Sequence, residues 1–132
     1  MEQGKMSWEE LVDFSRTQGL LAQRLYVVFS EPTGGLGPIR ENIDRHLAYQ
    51  AELEGEGTMF AAGPVATDDE QQWLGEGMFA YRADSMEAAR RLAEGDPMHQ
   101  SGARSYRIRP WLLNEGTMSV RVFYSGRKPV IG

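Results

Sequence analysis

The chain has 132 residues and contains no cysteine. This absence excludes disulfide bonds, thiolate zinc sites, iron–sulfur clusters and a cysteine nucleophile, and it is compatible with a reducing cytoplasm. The chain also lacks an apolar run long enough to span a bilayer, and its first ten residues, MEQGKMSWEE, lack the apolar segment of a secretory signal. We therefore expect a cytoplasmic protein with no membrane partner.

Positive charge and histidine are also scarce. The 14 lysine and arginine residues stand against 19 aspartate and glutamate residues, which gives a formal net charge of −5. We expect no nucleic-acid partner, because nucleic-acid binding needs a basic face. There are only 2 histidines and no short-spaced pair of ligands, so we predict no metal site. The glycine-rich stretch at 34–37 lacks the phosphate-binding patterns, and we predict no cofactor.

The spacing of apolar and capping residues predicts one helix, then a β-α-β-β-α-β series, then one more strand. Ser7 and Glu10 form the capping pattern that begins the first helix. We predict helices at about residues 8–18, 39–55 and 86–94, and strands at about 24–30, 58–62, 73–82, 105–113 and 118–124. The predicted organisation is an N-terminal helical extension (1–23), a central domain (24–113), and a C-terminal strand and tail (114–132).

The six central elements match the ferredoxin-like, split βαβ plan, an α+β fold in which both helices cover one face of an antiparallel sheet. The other face needs a cover, because Trp73, Tyr81 and Trp111 lie on predicted strands and cannot all point toward the helices. We expect a second copy of the chain to cover it, giving a homodimer packed sheet to sheet as an α+β barrel. The alternative is that the N-terminal helix and the last strand cover that face within one chain.

Proton-transfer chemistry is suggested by His46, which shares the apolar stripe of its helix with Ile39 and Ile43. An imidazole exchanges protons near neutral pH, although a core histidine bonded to a carbonyl fits the same position. Asp96 follows the last helix, and side-by-side helices would let it reach His46 and orient the ring. Asp96 fits simple turn chemistry equally well. His99 either lines the same pocket or lies in a solvated turn.

Further side chains are candidates for contact with a substrate. Arg107 and Arg109 alternate with apolar residues on a strand, and they either hold an anionic ligand or serve solubility. The aromatic residues Tyr49, Phe60 and Trp73 are candidates for the apolar walls of a pocket.

Four segments together resemble the YCII-related (YciI-like) domain family. They are RHLAY with ELE at 45–54, MFAAGP at 59–64, GDPMH at 95–99 with Gly102, and RPW at 109–111. The resemblance covers about residues 25–113 and implies a dimeric ferredoxin-like α+β barrel. It also implies a pocket with a His–Asp pair, which maps onto His46 and Asp96. Some members of the family resemble lyases that remove HCl from chloromuconolactone or from chlorinated hydroxyquinol.

Two hypotheses about function follow. In the first, the chain is a cofactor-independent lyase or isomerase in which His46, oriented by Asp96, moves a proton on a small oxygenated or cyclic substrate. The residues expected at the substrate are then His99, Arg109, Tyr49, Trp73 and Phe60. In the second, the chain is a non-catalytic dimeric module that binds a ligand or a protein partner, with the terminal helix and the last strand as interaction surfaces.

Overall fold

The structure is a computed structural model that describes residues 4–132 and divides into two compact units. One unit is Arg24–Leu112, and the other joins the preceding residues, through Gln23, to Leu113–Gly132. No helix within residues 4–132 combines the length and the apolar character that a membrane crossing demands.

A four-stranded sheet and three helices make up the Arg24–Leu112 unit. The first strand of the sheet begins one residue before this unit, and the last strand ends one residue after it. The first helix of the chain, α1 (Trp8–Thr17), belongs to the other unit. The elements that follow are β1 (Gln23–Pro32), α2 (Leu36–Gly55), β2 (Met59–Pro64), β3 (Gly77–Tyr81), α3 (Met86–Glu94), α4 (Pro97–Gln100) and β4 (Arg104–Leu113).

The strand order in the sheet is β2-β3-β1-β4. β2 and β3 follow one another in the chain and are direct neighbours in the sheet. By contrast, α2 connects β1 to β2 and α3 precedes β4 after β3, and neither of these strand pairs is adjacent in the sheet. The third strand, β3, pairs antiparallel with both β1 and β2. A register shift between Met59 and Ala61 marks an irregularity in β2. This order is that of the ferredoxin-like plan, and the predicted α+β fold class is confirmed.

The core of this unit lies between one face of the sheet and the helices. Leu53 of α2 and Ala93 of α3 pack in one buried cluster with Val28, Phe79 and Tyr81 from β1 and β3. Both helices therefore cover the same face of the sheet, as the split βαβ plan predicts. Removing these side chains from water supplies the main stabilisation of the unit, at about 1.5–3 kcal/mol for each large apolar side chain.

The opposite face of the sheet is apolar and partly exposed. Because side chains alternate along a strand, the residues between the core positions point to this face. Here Val27 and Phe29 of β1 lie beside Ala80 and Met78 of β3. Met78 keeps 46% of its surface exposed and Trp111, on β4, keeps 43%. These four strand positions and Trp111 define what we call the open face.

Two local predictions differ from the structure. The strand predicted from Trp73 begins only at Gly77, because Glu70 and Gly75 adopt positive φ angles of 62° and 104° and hold the preceding segment in a loop. The segment after α3, predicted as a turn, forms the short helix α4 with Asp96 as its N-cap. Proline at the first helical position suits this start, because its missing N–H is not needed there.

The terminal unit is held together by Asn114. Its side-chain oxygen accepts from the backbone N–H of Ala22 (3.2 Å), its amide nitrogen donates to the Ser15 hydroxyl (3.0 Å), and its backbone carbonyl accepts from Leu21 (3.1 Å). One side chain thus links α1, the segment before β1 and the segment after β4. The predicted cap of α1 is present, since the Ser7 hydroxyl accepts from the Glu10 N–H at 3.1 Å.

The C-terminal segment differs from the predicted strand and tail. The strand expected at 118–124 is reduced to β5 (Val120–Arg121), and the expected tail contributes β6 (Val130–Ile131), which pairs with β5 antiparallel. Ser119 and Gly132 exchange two backbone hydrogen bonds of 2.7 and 2.9 Å next to this ladder. A glycine at 126 with φ of 80° allows the intervening turn, a conformation that other residues adopt reluctantly.

The open face generates a prediction about assembly. We expect the wild-type chain to sediment as a dimer, because exposed apolar side chains on one sheet face favour burial against a second copy. A Met78→Lys substitution places a charge in that face and is expected to shift the sedimentation coefficient toward the monomer, with the far-UV circular dichroism spectrum unchanged. Met118→Lys is the matched control, since Met118 is 71% exposed and lies in the other unit. A monomeric wild type at micromolar concentration contradicts the prediction.

Candidate active site

The helix α2 carries His46 on its buried face. Ile39, Asn42, His46 and Leu53 are the buried residues of this helix, and their spacing of three, four and seven residues follows one side of it. His46 therefore points inward for the reason the sequence indicates: it continues an apolar stripe. Its side chain keeps only 6% of its surface exposed.

Asp96 is placed by the ends of two helices. α3 ends at Glu94, Gly95 is its C-cap, and Asp96 then caps α4 by accepting a hydrogen bond from the Met98 N–H at 2.9 Å. The residue is fully buried. A capping carboxylate of this kind has little freedom to rotate, so its second oxygen and its remaining lone pairs have a fixed direction.

The structure brings His46 and Asp96 together, although 50 residues separate them in sequence. His46 Nδ1 lies 2.7 Å from Asp96 Oδ1 and 2.9 Å from Oδ2. The carboxylate accepts from Nδ1, which fixes the tautomer with its proton on Nδ1 and a lone pair on Nε2. Within residues 4–132 no side chain or backbone group hydrogen-bonds to Nε2. That nitrogen is therefore free to accept a proton from a guest molecule.

A cavity of about 590 Å³ opens beside His46. Its polar lining includes His46, Gln50 and Arg104, and the remaining lining is mostly apolar. A volume of this size suits one small ring compound with its substituents. The apolar walls come from α2, β2, the loop before β3, and β3 itself: Ile43, Leu47, Ala62, Pro64, Trp73 and Phe79.

Arg104 is the functional candidate that the sequence patterns did not single out. It is 4% exposed, its Nε donates to the Gly75 carbonyl at 2.8 Å, and its Nη1 is buried without a hydrogen-bond partner among residues 4–132. Burial lowers the pKa of this guanidinium, and the charge of Asp96 opposes that shift. A signal was available, because Arg104 alternates with Tyr106 and Ile108 and so belongs to the face of β4 that meets the core.

Two glycines shape the space around Arg104. At Gly77 an added Cβ would lie 3.1 Å from Arg104 Nη1, so the absence of a side chain leaves room for the guanidinium. At Gly75 the φ angle of 104° turns the carbonyl that Arg104 binds, and an added Cβ would lie 3.2 Å from Ile39. The two glycines thus accommodate a buried cation next to the start of β3.

His99 lies near the pair but is engaged elsewhere. Its Nδ1 is 2.7 Å from the Ala93 carbonyl, which can only accept, so Nδ1 carries the proton and Nε2 accepts from the Ser30 hydroxyl at 2.7 Å. The ring also packs at 4.4 Å from the Tyr106 ring, measured between centroids. Burial lowers the pKa of His99, and the Ala93 carbonyl and Asp96 oppose that shift. His99 is thus a half-buried, neutral link between α3, α4 and β1.

The other predicted contact residues are distributed over several places. Trp73 lines the cavity and donates from Nε1 to the Glu76 carbonyl at 2.8 Å. The Tyr49 hydroxyl donates to the Leu92 carbonyl at 2.7 Å, so this residue joins α2 to α3 and does not line the cavity. Burial and the charge of Asp96 raise the pKa of Tyr49.

Phe60 and Arg109 are also outside the cavity. The Phe60 ring lies under the Arg82 guanidinium, 5.0 Å from it, and lines a groove with Val27 and Trp111. Arg109 is exposed and lines the groove of the open face, because odd-numbered positions of β4 point away from the helices. The structure therefore brings His46, Asp96 and Trp73 together and leaves Tyr49, Phe60, His99 and Arg109 in other roles.

Comparison with known proteins agrees with this geometry at the level of fold and family. The family model for the YCII-related domain matches residues 25–112, about two thirds of the chain. A similar solved structure is 5-chloro-2-hydroxyhydroquinone dehydrochlorinase from Burkholderia phenoliruptrix, in complex with 2,5-dihydroxybenzoquinone. It shares 22% identity and a TM-score of 0.54, over 66% of this chain and 92% of the other. No curated protein matches the sequence.

The strand order and the site define an α+β domain of the ferredoxin-like class in which a buried hydrogen bond joins His46 to Asp96 beside a cavity. The match over residues 25–112 then identifies the chain as a member of the YCII-related domain family, as the sequence resemblance predicts.

The environment of His99 generates a prediction about pH and stability. Because burial depresses its pKa in the folded state, the unfolded chain binds a proton more readily below about pH 6.5, and the free energy of unfolding falls as pH drops below that value. The charges of Asp96, Arg104 and His46 act on the ring, and the titratable Tyr106 ring packs against it. The His99→Asn variant cannot titrate there, so its stability is expected to fall less steeply between pH 7 and pH 5.

Urea denaturation at several pH values measures this difference. Asn retains an amide donor for the Ala93 carbonyl, so the variant is expected to fold with lower stability throughout the range. The quantity to compare is the change in the free energy of unfolding with pH, because the carboxylates contribute equally to this change in the wild type and in His99→Asn. Identical slopes for the wild type and His99→Asn contradict the prediction.

Proposed function

We propose that this protein is a cofactor-independent lyase of the dehydrochlorinase type, which removes HX from a small oxygenated ring compound. The single observation that carries the proposal is the buried hydrogen bond between His46 Nδ1 and Asp96 Oδ1, 2.7 Å long, at the wall of a cavity of about 590 Å³. A base fixed in one tautomer beside an apolar cavity is the minimum that proton abstraction requires.

His46 acts as the general base in this proposal. Its Nε2 takes a proton from a carbon or oxygen atom of the substrate, and the electron pair freed by that proton forms a new double bond. The leaving group X departs with its own bonding pair as an anion, so the net change is the loss of HX with no oxidant or reductant. Asp96 is a positioning residue that stabilises the positive imidazolium formed when Nε2 is protonated.

The walls contribute by limiting water around the base. Phe79 lies 5.9 Å from His46 between ring centroids, and Trp73 lines another side of the cavity. Apolar surroundings strengthen the attraction between the imidazolium and the Asp96 carboxylate, because the local dielectric is lower than in water. The same walls suit the faces of a flat ring, which can pack against aromatic side chains.

The solved relative supports the choice of leaving group and substrate class. That protein is a dehydrochlorinase whose structure contains 2,5-dihydroxybenzoquinone, an oxygenated ring compound. Its similarity extends over 66% of this chain and 92% of the other. We therefore choose chlorinated hydroxyquinols as the compounds to test.

The test measures chloride release from 5-chloro-2-hydroxyhydroquinone under anaerobic conditions. We expect turnover by the wild type and a fall in kcat of about 10²–10⁴ for His46→Gln, which removes the base. Asp96→Asn is expected to lose most activity too, because its amide can donate to Nδ1 and so favours the tautomer that protonates Nε2. Asp44→Asn is the matched control, since Asp44 is exposed on the same helix.

Two outcomes contradict the proposal. If folded His46→Gln and Asp96→Asn variants release chloride at the wild-type rate, the pair has no catalytic role. If the wild type binds the compound tightly and releases no chloride, the chain acts as a ligand-binding module on this compound.

A further inference from the structure

The cavity contains two buried hydrogen-bond donors that the chain itself does not use. Arg104 Nη1 and Gln50 Nε2 are both buried without a hydrogen-bond partner among residues 4–132, and both residues line the cavity beside His46. An unsatisfied buried donor is destabilising, and an unsatisfied buried cation more so. Such groups in a binding cavity indicate that a ligand supplies the missing acceptors.

The charge of Arg104 is uncompensated by direct contact. Its Nε donates to the neutral carbonyl of Gly75, and within the described chain no carboxylate lies within ion-pair distance of the guanidinium. Asp96 attracts Arg104 through space, but the two Asp96 oxygens are taken by His46 and by the Met98 N–H. The cavity therefore combines one cation and one amide donor with apolar walls, which favours a ligand that carries an anionic oxygen.

Two glycines near the start of β3 fix the position of the Arg104 guanidinium. Gly77 leaves the space that Nη1 occupies, at 3.1 Å from where a Cβ would stand, and the Gly75 carbonyl holds Nε at 2.8 Å. With Nε anchored, the remaining N–H groups of the planar fork have fixed directions. This arrangement differs from that of an exposed arginine, whose long side chain loses conformational freedom on binding a ligand.

We infer that the site takes its substrate as an anion, with Arg104 and Gln50 holding an ionised phenolic or enolic oxygen while His46 Nε2 faces the reacting part of the ring. This inference deepens the proposed function and rests on it for the identity of the reacting group. Arg104 then acts as a binding residue that fixes which oxygen is ionised and where the ring lies. The positive charge also stabilises negative charge that develops on that oxygen as a proton leaves the substrate.

Calorimetric binding of two quinones to the wild type tests the inference first. The probes are 2,5-dihydroxybenzoquinone, whose acidic hydroxyls are ionised at neutral pH, and 2,5-dimethoxybenzoquinone, which has the same ring and carries no charge. We expect the anion to bind roughly 10- to 150-fold more tightly, which is the range for a charge-assisted hydrogen bond. Equal affinity for the two compounds overturns the inference.

Substitutions then assign the preference to Arg104. Arg104→Met is expected to remove the preference for the anion, because it lowers the affinity for 2,5-dihydroxybenzoquinone and leaves the affinity for 2,5-dimethoxybenzoquinone unchanged. Arg104→Lys is expected to retain part of the preference, because lysine keeps the positive charge but lacks the planar guanidinium. Arg109→Met is the matched control: Arg109 lies on the same strand and is exposed on the open face, so its loss should leave both affinities unchanged. If Arg104→Met binds the anion as the wild type does, or if Arg109→Met abolishes the preference, the inference is wrong.

The failure of this inference is distinguishable from failure of the proposed function. Should Arg104→Met not fold by circular dichroism, the wild-type comparison and Arg104→Lys decide the matter. Loss of chloride release in His46→Gln with an unchanged preference for the anion supports both statements. If Arg104→Met binds the anion as tightly as the wild type does and His46→Gln loses turnover, the inference is overturned and the proposed acid–base role of His46 stands.

Discussion

The hydrogen bond between His46 and Asp96 is the interaction on which the geometry of the site depends. It joins the middle of α2 to the junction of α3 and α4, and both partners are buried. A buried carboxylate is stable only when its oxygens are satisfied, and here the imidazole and the Met98 N–H satisfy them. Removing one partner of such a pair typically costs about 3–5 kcal/mol, because the other is left buried and unpaired. The pair is thus a structural link between the helices as well as the centre of the proposed chemistry.

The buried polar groups around this hydrogen bond have different partners and different roles. Asp96 faces His46 on one side, and His99 connects Ser30 to the Ala93 carbonyl on another. His99 and Arg104 both have depressed pKa values because burial disfavours their charged forms, yet only Arg104 lines the cavity. The difference lies in their partners: every ring nitrogen of His99 is bonded within the chain, whereas Arg104 retains an unused donor. Satisfied polar groups stabilise a core, and unsatisfied ones beside a cavity prepare it for a ligand.

Much of the fold could be read from the sequence because its signals are local. The capping serine at position 7, the apolar stripe through Ile39 and His46, and the glycine and proline that follow α3 each determine a nearby conformation. The α+β class followed from the order of these elements, whereas the family followed from the resemblance of the segments at 45–54, 59–64, 95–99 and 109–111. The match over residues 25–112 agrees with that family. The details that differ depend on distant pairing. β3 starts late because Gly75 turns the chain toward Arg104, and the pairing of β5 with β6 depends on the turn that contains Gly126, which has a positive φ angle.

The candidate site shows the same division between local and distant information. The inward direction of His46 follows from helical spacing, so it was predictable, and the position of Asp96 was predictable only as far as the packing of two helices allowed.

Arg104 was not found because the predicted strand began one residue later, at 105, which removed this arginine from the alternating pattern of Tyr106 and Ile108. Its environment is made by Gly75 and Gly77, 29 and 27 positions earlier, and no local pattern connects them. A charged residue in register with the core face of a strand is therefore a signal in itself. The fold tolerates such a residue where a counter-charge or a ligand meets it, and Asp96, whose charge acts on Arg104, is already hydrogen-bonded to His46.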